Sequence, residues 1–586
     1  MKNLKSLITC FVLLAAIPAF SQGVSSLPDS VAHKIDSVIN AQMTKKHIVG
    51  ASMAIVDHGK MVYAKGYGYA DNRRKIKATD KTVFCIGSIT KTFTAMAIMK
   101  LHEEGKIDLD KPASYYLPDL KIKSVSETGD ILKIRNLLSH TSGLTDGFMN
   151  NDACDKEQDM NGVIGDLNQE ELVNKTNWKW SYSNSGYDVL GCIIERVSGM
   201  KYMDYIRQNF LQKMDMKSSD FFDKPQDTLY SKGYLNDTDQ TPEPYMRDVP
   251  AGALFCSAPD MANFMQAIQN KGVYGSNQII SQASITEMQT DHADKTTIPG
   301  DVKYGYATFL LPMQFREDSL YGDAMGHGGD THTFHATYFV FPKMDWGIVI
   351  LTNSEQGHSF CNGAFGSVFK VWMKYKKGIK LHPVKLVAKA IQPSEQLTTR
   401  EIAGDYATGE DVMLKMRRIN DYKMTMNQGG QFFVFKKQTD GAYAVVLKMF
   451  YVYPYPIKGL QVGFERITGK IYFKQINMGN GSTEYVAIKD SARKLPDTWK
   501  KMGGKYKVLN SCEGNQQGIP QKITIHGNKI WMKVIFSKKE IATFSFSALD
   551  DTHAAMDGID RRGGEVLKIL PNGHIWFSGY EMEKEK

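Results

Sequence analysis

The feature that most constrains the fold is a change of apolar period near residue 380. Before it, stretches with the 3.6-residue period of an amphipathic helix alternate with short strand signals. Beyond it, short alternating strands separated by turn residues dominate. One core cannot serve both patterns across 586 residues, so two or three domains are expected. Residues 28–46 read as an amphipathic helix with Val31, Ile35, Val38 and Ile39 near one face. A hairpin follows, with strands at 51–56 and 61–67 joined through Asp57-His58-Gly59-Lys60. From about 80 to 300 the pattern is mostly helical with long loops. Strands at 333–341 and 346–352 come next, then a helix at 366–377. Helix, hairpin, helical insert, hairpin, helix predicts one α/β (α+β) unit over 22–380. In it, an antiparallel sheet built from both ends of the segment is flanked by helices and carries a helical subdomain.

After a linker at 381–398 the chain predicts an all-β tail. It divides into one module at 399–490 and a second at 491–586, or forms one barrel-like unit from both. Strands at 529–536 and 574–578, the latter after Asn572-Gly573, are its clearest signals. A short echo supports a repeat: Glu401-Ile402-Ala403-Gly404-Asp405-Tyr406 resembles Lys501-Met502-Gly503-Gly504-Lys505-Tyr506.

The first residues carry a different message. Lys2 and Lys5 precede an apolar stretch at 7–16 that is too short to span a bilayer, and Ala19-Phe20-Ser21 offers small residues at a cleavage site. Residues 1–21 are therefore expected to be a signal peptide. The rest would be exported to a bacterial periplasm or the medium, with no integral membrane segment after cleavage. The formal charge of +9 is spread along the chain, which argues against a nucleic-acid partner. Six cysteines remain beyond Cys10, with no C-x-x-C pair and no metal-ligand spacing. Cys192 and Cys256 sit in apolar runs. Cys154 and Cys512 sit in polar ones and are free to oxidise, with no pairing assigned.

Three stretches carry chemistry. In Phe84-Cys85-Ile86-Gly87-Ser88-Ile89-Thr90-Lys91, a helix starting near Ser88 places Lys91 on the same face, with its amine near the Ser88 hydroxyl. A serine becomes a strong nucleophile when a base takes its proton, and a lysine serves as that base when burial lowers its pKa. An N-capping serine before a solvated lysine has the same spacing, and S-x-x-K recurs at Ser198/Lys201, Ser367/Lys370 and Ser491/Lys494. In Ser181-Tyr182-Ser183-Asn184, extended backbone points Tyr182 and Asn184 the same way, a phenol for proton transfer and an amide for holding substrate. A polar loop is the plainer reading, and Tyr234/Asn236 repeats the spacing. In Gly326-His327-Gly328-Gly329-Asp330, just before the strand at 333–341, glycines permit close approach of substrate. The extended edge offers a backbone N–H that, with that of Ser88, faces a developing oxyanion. His327 and Gly329 are the substrate-binding candidates there. His327, His332 and His335 as metal ligands lack a completing Cys, Asp or Glu, so neither a metal nor a cofactor is expected.

In this order the three elements resemble the serine β-lactamase and penicillin-binding-protein superfamily. The resemblance is to its class C-like branch of β-lactamases, D-aminopeptidases, DD-carboxypeptidases and related esterases. Ser88/Lys91 matches S-x-x-K, Tyr182/Asn184 matches Y-x-N, and His327-Gly328-Gly329 stands where other members carry K-T-G. His140-Thr141-Ser142-Gly143-Leu144, the segment from Gly252 to Asp260, and Tyr304-Gly305-Tyr306 fit as well, so the likeness covers roughly 30–380. It implies a β-lactamase-like fold and an acyl-enzyme on Ser88, with Lys91 and Tyr182 sharing the proton work. It also implies an oxyanion hole from the backbone N–H groups of Ser88 and Asp330. Asp330 departs from the small residue usual there, and a carboxylate beside a developing anion is harmful unless it turns away or is paired. D-aminopeptidases of this branch carry β-barrels after the catalytic part, a plan that this tail resembles. The expected partner is a small-molecule or peptide substrate, an ester or amide such as a D-amino-acid peptide. A β-lactam-hydrolysing enzyme, a penicillin-binding sensor without turnover, and a structural module remain alternatives.

Overall fold

The computed structural model describes residues 24–586 except 126–130, 151–152, 222–228, 242–243, 301, 316–318, 379–396, 409–412, 429–430, 450–452, 478–482, 491–492, 513–517, 537–540 and 560. The expected signal peptide and nearly all of the expected linker lie outside the described residues.

The first unit is built on one antiparallel sheet. Its elements are β1 (Val24–Ser25), α1 (Asp29–Lys46), β2 (Gly50–Asp57), β3 (Lys60–Asp71), α2 (Thr90–Glu103), α3 (Asn184–Ser198), β4 (Phe309–Phe315), β5 (Ser319–Asp330), β6 (His335–Phe341), β7 (Trp346–Thr352) and α4 (Gly357–Lys377). The strand order is β1-β3-β2-β7-β6-β5-β4, with Ile76–Lys77 added along β3. The pairing of β2 with β7, for example Ala54 with Val349, joins the two ends of the unit. Successive side chains of a strand point to opposite faces. Met53, Ile55, Ile348 and Ile350 accordingly pack with α1 and α4, while Ala54, Val56, Val349 and Leu351 pack with α2 and the helical body.

In α1 the buried residues are Val31, Ile35, Ile39 and Met43, one per turn. α4 starts at Gly357, nine residues before the start that the apolar pattern suggests. The pattern is broken there by glycines, and one of them has a packing reason. A Cβ on Gly363 would lie 2.8 Å from Gln42 Oε1, so the glycine leaves room for the Gln42 side chain, whose Nε2 donates to Ser367 Oγ at 3.2 Å between α1 and α4.

The tail forms two closed antiparallel barrels of eight strands each, running from Gly404–Ala407 to Thr483–Lys489 and from Gly504–Val508 to Tyr580–Lys584. They are separate closures and not one unit. The sequence echo marks equivalent places in both. Tyr406 Oη donates to Ile402 O at 2.7 Å, and Tyr506 Oη donates to Met502 O at 2.6 Å. Gly404 (φ +152°) and Gly504 (φ +156°) leave room for Lys489 and Lys584 of the closing strands. Those two lysines donate to Glu401 O and Lys501 O. No helix among the described residues is long and apolar enough to cross a membrane.

The second barrel is fastened to the first unit. Cys154 and Cys512 form a disulfide across a separation of 358 residues. Met149 is buried in the barrel's own core. Met149 N donates to Ser578 Oγ at 2.9 Å, Asn150 Nδ2 to Gly579 O at 2.8 Å, and Trp576 Nε1 to Glu170 Oε1 at 2.8 Å. Glu170 keeps some exposed surface, but its carboxyl lies inside this interface. Burial, reinforced by the like charge of Glu565, pushes its pKa up to about 8.

A carboxyl whose folded pKa lies above its unfolded value contributes stability that is fully present below the unfolded value and is lost as pH rises through the folded one. For Glu170 that window runs from about 4.5 to about 8. Glu170→Gln keeps an acceptor for Trp576 and is expected to flatten the fall in stability across this window, by up to about 1.4 kcal/mol per pH unit. Denaturant unfolding at pH 5 and pH 8 checks this, and equal pH dependence in the two proteins refutes it.

Candidate active site

Ser88 lies in a single 3₁₀ turn, Gly87–Ile89, that leads directly into α2. The helix thus starts at Thr90, two residues later than the spacing suggests, and the 3₁₀ turn still carries Lys91 back over Ser88. Lys91 is wholly buried. Its Nζ lies 3.1 Å from Ser88 Oγ, 2.8 Å from Asn184 Oδ1 and 2.7 Å from Ala251 O. Burial pushes its pKa down to about 7 against the opposing pull of Asp188, Asp248 and Asp146, and the Arg561 cation works in the same direction as burial. A neutral amine has two protons and one lone pair. With Asn184 and Ala251 as acceptors for the protons, the lone pair faces the Ser88 hydroxyl.

Asn184 is the first residue of α3 and not part of an extended run, while Ser183 caps that helix by accepting from Gly186 N. The extended Ser183 (φ −138°, ψ 117°) still turns Tyr182 and Asn184 toward the same cleft. His140 clamps this segment, accepting Ser181 N at its carbonyl (2.8 Å) and Ser183 N at Nδ1 (3.1 Å). Its ring packs against Tyr182 with centroids 4.2 Å apart. Burial and nearby Lys91 hold His140 neutral, well below the usual histidine range. Tyr182 Oη is buried and forms no hydrogen bond among the described residues. Burial holds its pKa well above that of a free phenol, while the Ser88 hydroxyl and the Arg561 cation pull the other way. Lys91 Nζ lies 4.9 Å from the centre of the Tyr182 ring. At neutral pH the phenol is therefore a proton donor.

The Gly326–Asp330 stretch lies inside β5, as its last residues, and not before a strand at 333–341; the following strand, β6, starts at His335. Gly87 has φ +50°, and a Cβ there would lie 2.8 Å from Asp330 N. A Cβ on Gly329 would lie 1.8 Å from Ile86 O and 3.1 Å from Ser88 N. These two glycines let the strand end press against the Ser88 turn, so the backbone nitrogens of Ser88 and Asp330 both lie at this contact. The Asp330 carboxylate is paired, with His335 Nδ1 at 2.5 Å and His358 Nδ1 at 3.2 Å. Burial alone would raise its pKa, but these imidazoles hold it below the usual carboxylate range. His327 is buried beside the cleft with Nε2 3.2 Å from Tyr304 Oη, and burial pushes its pKa down to about 4. Of the three histidines considered as metal ligands, His327 bonds Tyr304 and His335 bonds Asp330. Among the described residues no group of three or more His, Cys, Asp or Glu is placed to hold a metal ion.

These groups line a cleft of about 1120 Å³ that contains Ser88, Tyr182, Asn184, His327 and Asp330. Sequence reading did not find several other lining groups: Asp146, Trp180 and Phe309 from the first unit, and Phe536, Arg561 and Arg562 from the second barrel. Nor did it find the Ala251 carbonyl. Backbone acceptors leave no residue-type signal, and Arg561 lies hundreds of positions from Ser88.

A half-buried serine beside a buried lysine and a buried tyrosine, at the junction of an antiparallel sheet and a helical body, defines a β-lactamase-like protein. The profile of the Beta-lactamase family matches residues 35–365, and the chain belongs to that family, whose members are serine hydrolases. Protein flp of Staphylococcus aureus strain MW2 is 29% identical over 334 residues, which cover 56% of this chain and 64% of flp. The chain thus spans less than two thirds of that relative. Among solved structures, SurE superposes with a TM-score of 0.57 at 18% identity, over 79% of this chain and all of SurE. The octameric penicillin-binding protein homologue from Pyrococcus abyssi gives 0.48 at 21% identity, over 87% of this chain and 99% of that one.

The pairing of Asp330 generates a prediction. His335→Phe strips the carboxylate of its shorter bond and leaves an anion beside the Ser88 and Asp330 N–H groups. It is expected to slow modification of Ser88 by a fluorophosphonate about tenfold, equivalent to about 1.4 kcal/mol. Adding Asp330→Ser is expected to restore most of the rate. A double variant as slow as the single one would place the fault elsewhere.

Proposed function

We propose that the chain is an exported serine hydrolase that cleaves an ester or amide through an acyl-enzyme on Ser88. The observation that carries this reading is the Lys91 amine, buried, bonded to Asn184 and Ala251, and 3.1 Å from the Ser88 hydroxyl. In the proposed reaction Lys91 takes the Ser88 proton as Oγ attacks the carbonyl carbon. The oxyanion is met by the backbone N–H groups of Ser88 and Asp330. Tyr182, protonated at rest, donates to the leaving group and is recharged from Lys91. Water then releases the acyl group by the same route in reverse. Asn184, His327 and Gly329 hold the substrate.

For the substrate we favour a short peptide or acyl compound, with D-amino-acid or cell-wall-derived peptides as the class to test first. The cleft is large enough for one, and its Trp180, Phe309 and Phe536 walls suit apolar side chains. Export is supported by the basic and apolar start of the sequence and by a disulfide, which persists in oxidising compartments.

The test treats the chain from residue 22 onward with a fluorophosphonate and a chromogenic ester. Labelling of Ser88 together with turnover is expected, and Ser88→Ala is expected to lower kcat by at least ~10³-fold. Labelling without turnover would instead favour a penicillin-binding sensor. An unlabelled protein would overturn the reading. The acylation rate is also expected to rise with pH through about 7, as Lys91 loses its proton. Lys91→Met is expected to abolish that limb.

A further inference from the structure

We propose that Arg561, carried by the second barrel, is a positioning residue for the Ser88–Lys91 pair and acts through Asp146 and Asn184. This rests on the reading of Ser88 as nucleophile and Lys91 as its base. Arg561 sits on the turn between the barrel strands His553–Met556 and Val566–Ile569. Its Nη2 donates to Asp146 Oδ1. The same Oδ1 accepts from Asn184 Nδ2 at 3.4 Å, Asn184 Oδ1 accepts from Lys91 Nζ at 2.8 Å, and Lys91 Nζ is 3.1 Å from Ser88 Oγ. An unbroken line of polar contacts therefore runs from the barrel to the nucleophile. The guanidinium also lies 4.8 Å from the centre of the Tyr182 ring.

The turn is built into place and does not merely lie nearby. Lys179 Nζ donates to Ile559 O at 2.7 Å, Ser181 Oγ to Arg561 O at 3.4 Å, and Asn174 Nδ2 to Gly563 O at 2.7 Å. Gly564 has φ +95°, and a Cβ there would lie 2.7 Å from Asn174 Nδ2. Arg562 is committed to Glu565 at 3.0 Å and Gly147 O at 3.1 Å. Arginine suits the neighbouring position because its planar fork bonds a carboxylate while its face lies against an aromatic ring.

The charge of Arg561 has a definite job. The groups that face the Lys91 amine are Asp188 and Tyr187 of α3, Asp248 before the short helix Val249–Gly252, Asp146, Tyr182, His140, His327 of β5, and Arg561. The three carboxylates favour the ammonium, and Arg561 offsets part of their pull. Without it, Asp146 would keep only the more distant Arg562 Nη2, 3.8 Å from its Oδ2, and the carboxylate that accepts from the Asn184 amide would be held less firmly.

The test follows fluorophosphonate labelling of Ser88 against pH in the full mature chain. In this reaction the Oγ–P bond forms, fluoride leaves and the serine proton passes to Lys91. Arg561→Met is expected to slow labelling at pH 7 about tenfold and to move the acid limb upward by about half a pH unit or more. Asp146→Asn, nearly isosteric and leaving the turn anchored, is expected to move the limb downward. Arg561→Lys, which restores the charge without the fork, is expected to return the limb toward wild type with only part of the rate. A purely structural role for Arg561 would lower the rates of its variants and leave their limbs in place, and that result overturns the inference. If Arg561→Met releases the barrel, Arg561→Gln, which keeps a donor for Asp146 without the charge, decides by the same upward movement of the limb. A wild-type protein that is not labelled overturns the proposed function and this inference with it, whereas a labelled wild type with unmoved variants overturns this inference alone.

Discussion

The molecule is organised around one costly arrangement, a lysine amine taken wholly out of water at the start of α2. An isolated ammonium in that position is strongly disfavoured, and the group responds by giving up its proton near neutrality. What would be a defect in an ordinary core is here the source of a base. It works only because the amine cannot turn. Asn184 from α3 and the Ala251 carbonyl take its two protons, which leaves the serine as the direction for the lone pair. The surrounding architecture serves this orientation: the cap that starts α3 at Ser183, the His140 clamp on residues 181–183, and the glycines that let β5 press on the Ser88 turn.

The second barrel belongs to the same arrangement. Its disulfide, its buried contact with Met149 and the hydrogen bonds around Ser578 and Gly579 fix it to the loop that also carries Asp146. A barrel attached only by a linker would bring its turns near the cleft for a small fraction of the time. A barrel fastened at several points holds Phe536 and Arg561 in the wall of the cleft. The two barrels share the same tyrosine–carbonyl and glycine–lysine pairs but are put to unequal use, since these ties to the cleft belong to the second.

Much of this was legible in the sequence because it is local. The helix of residues 28–46, the two hairpins and the switch to alternating strands follow from side-chain period. Ser88 and Lys91 lie one turn apart on any helix. The misjudged boundaries also have local causes. Gly363 hid the first half of α4 because a glycine carries no apolar signal, although it leaves room there for Gln42 of α1. The Gly326–Asp330 run read as an extended edge just before a strand, and not as the end of one, because glycine is a poor strand former, yet its lack of side chains is what the meeting with the Ser88 turn requires.

The order of the motifs, the periodicity and the residue types were set by the sequence alone, because each depends on neighbours a few positions apart. Tertiary structure alone decided that Cys154 meets Cys512, that the Asp330 carboxylate is bonded by His335 and His358, that Ala251 completes the hold on Lys91, and that an arginine from the far end of the chain enters the cleft. Apart from the Asp330–His335 pair, five positions apart, those contacts join segments separated by tens to hundreds of residues. Their energies come from burial and charge in a shared low-dielectric space, and no periodicity along the chain encodes that space.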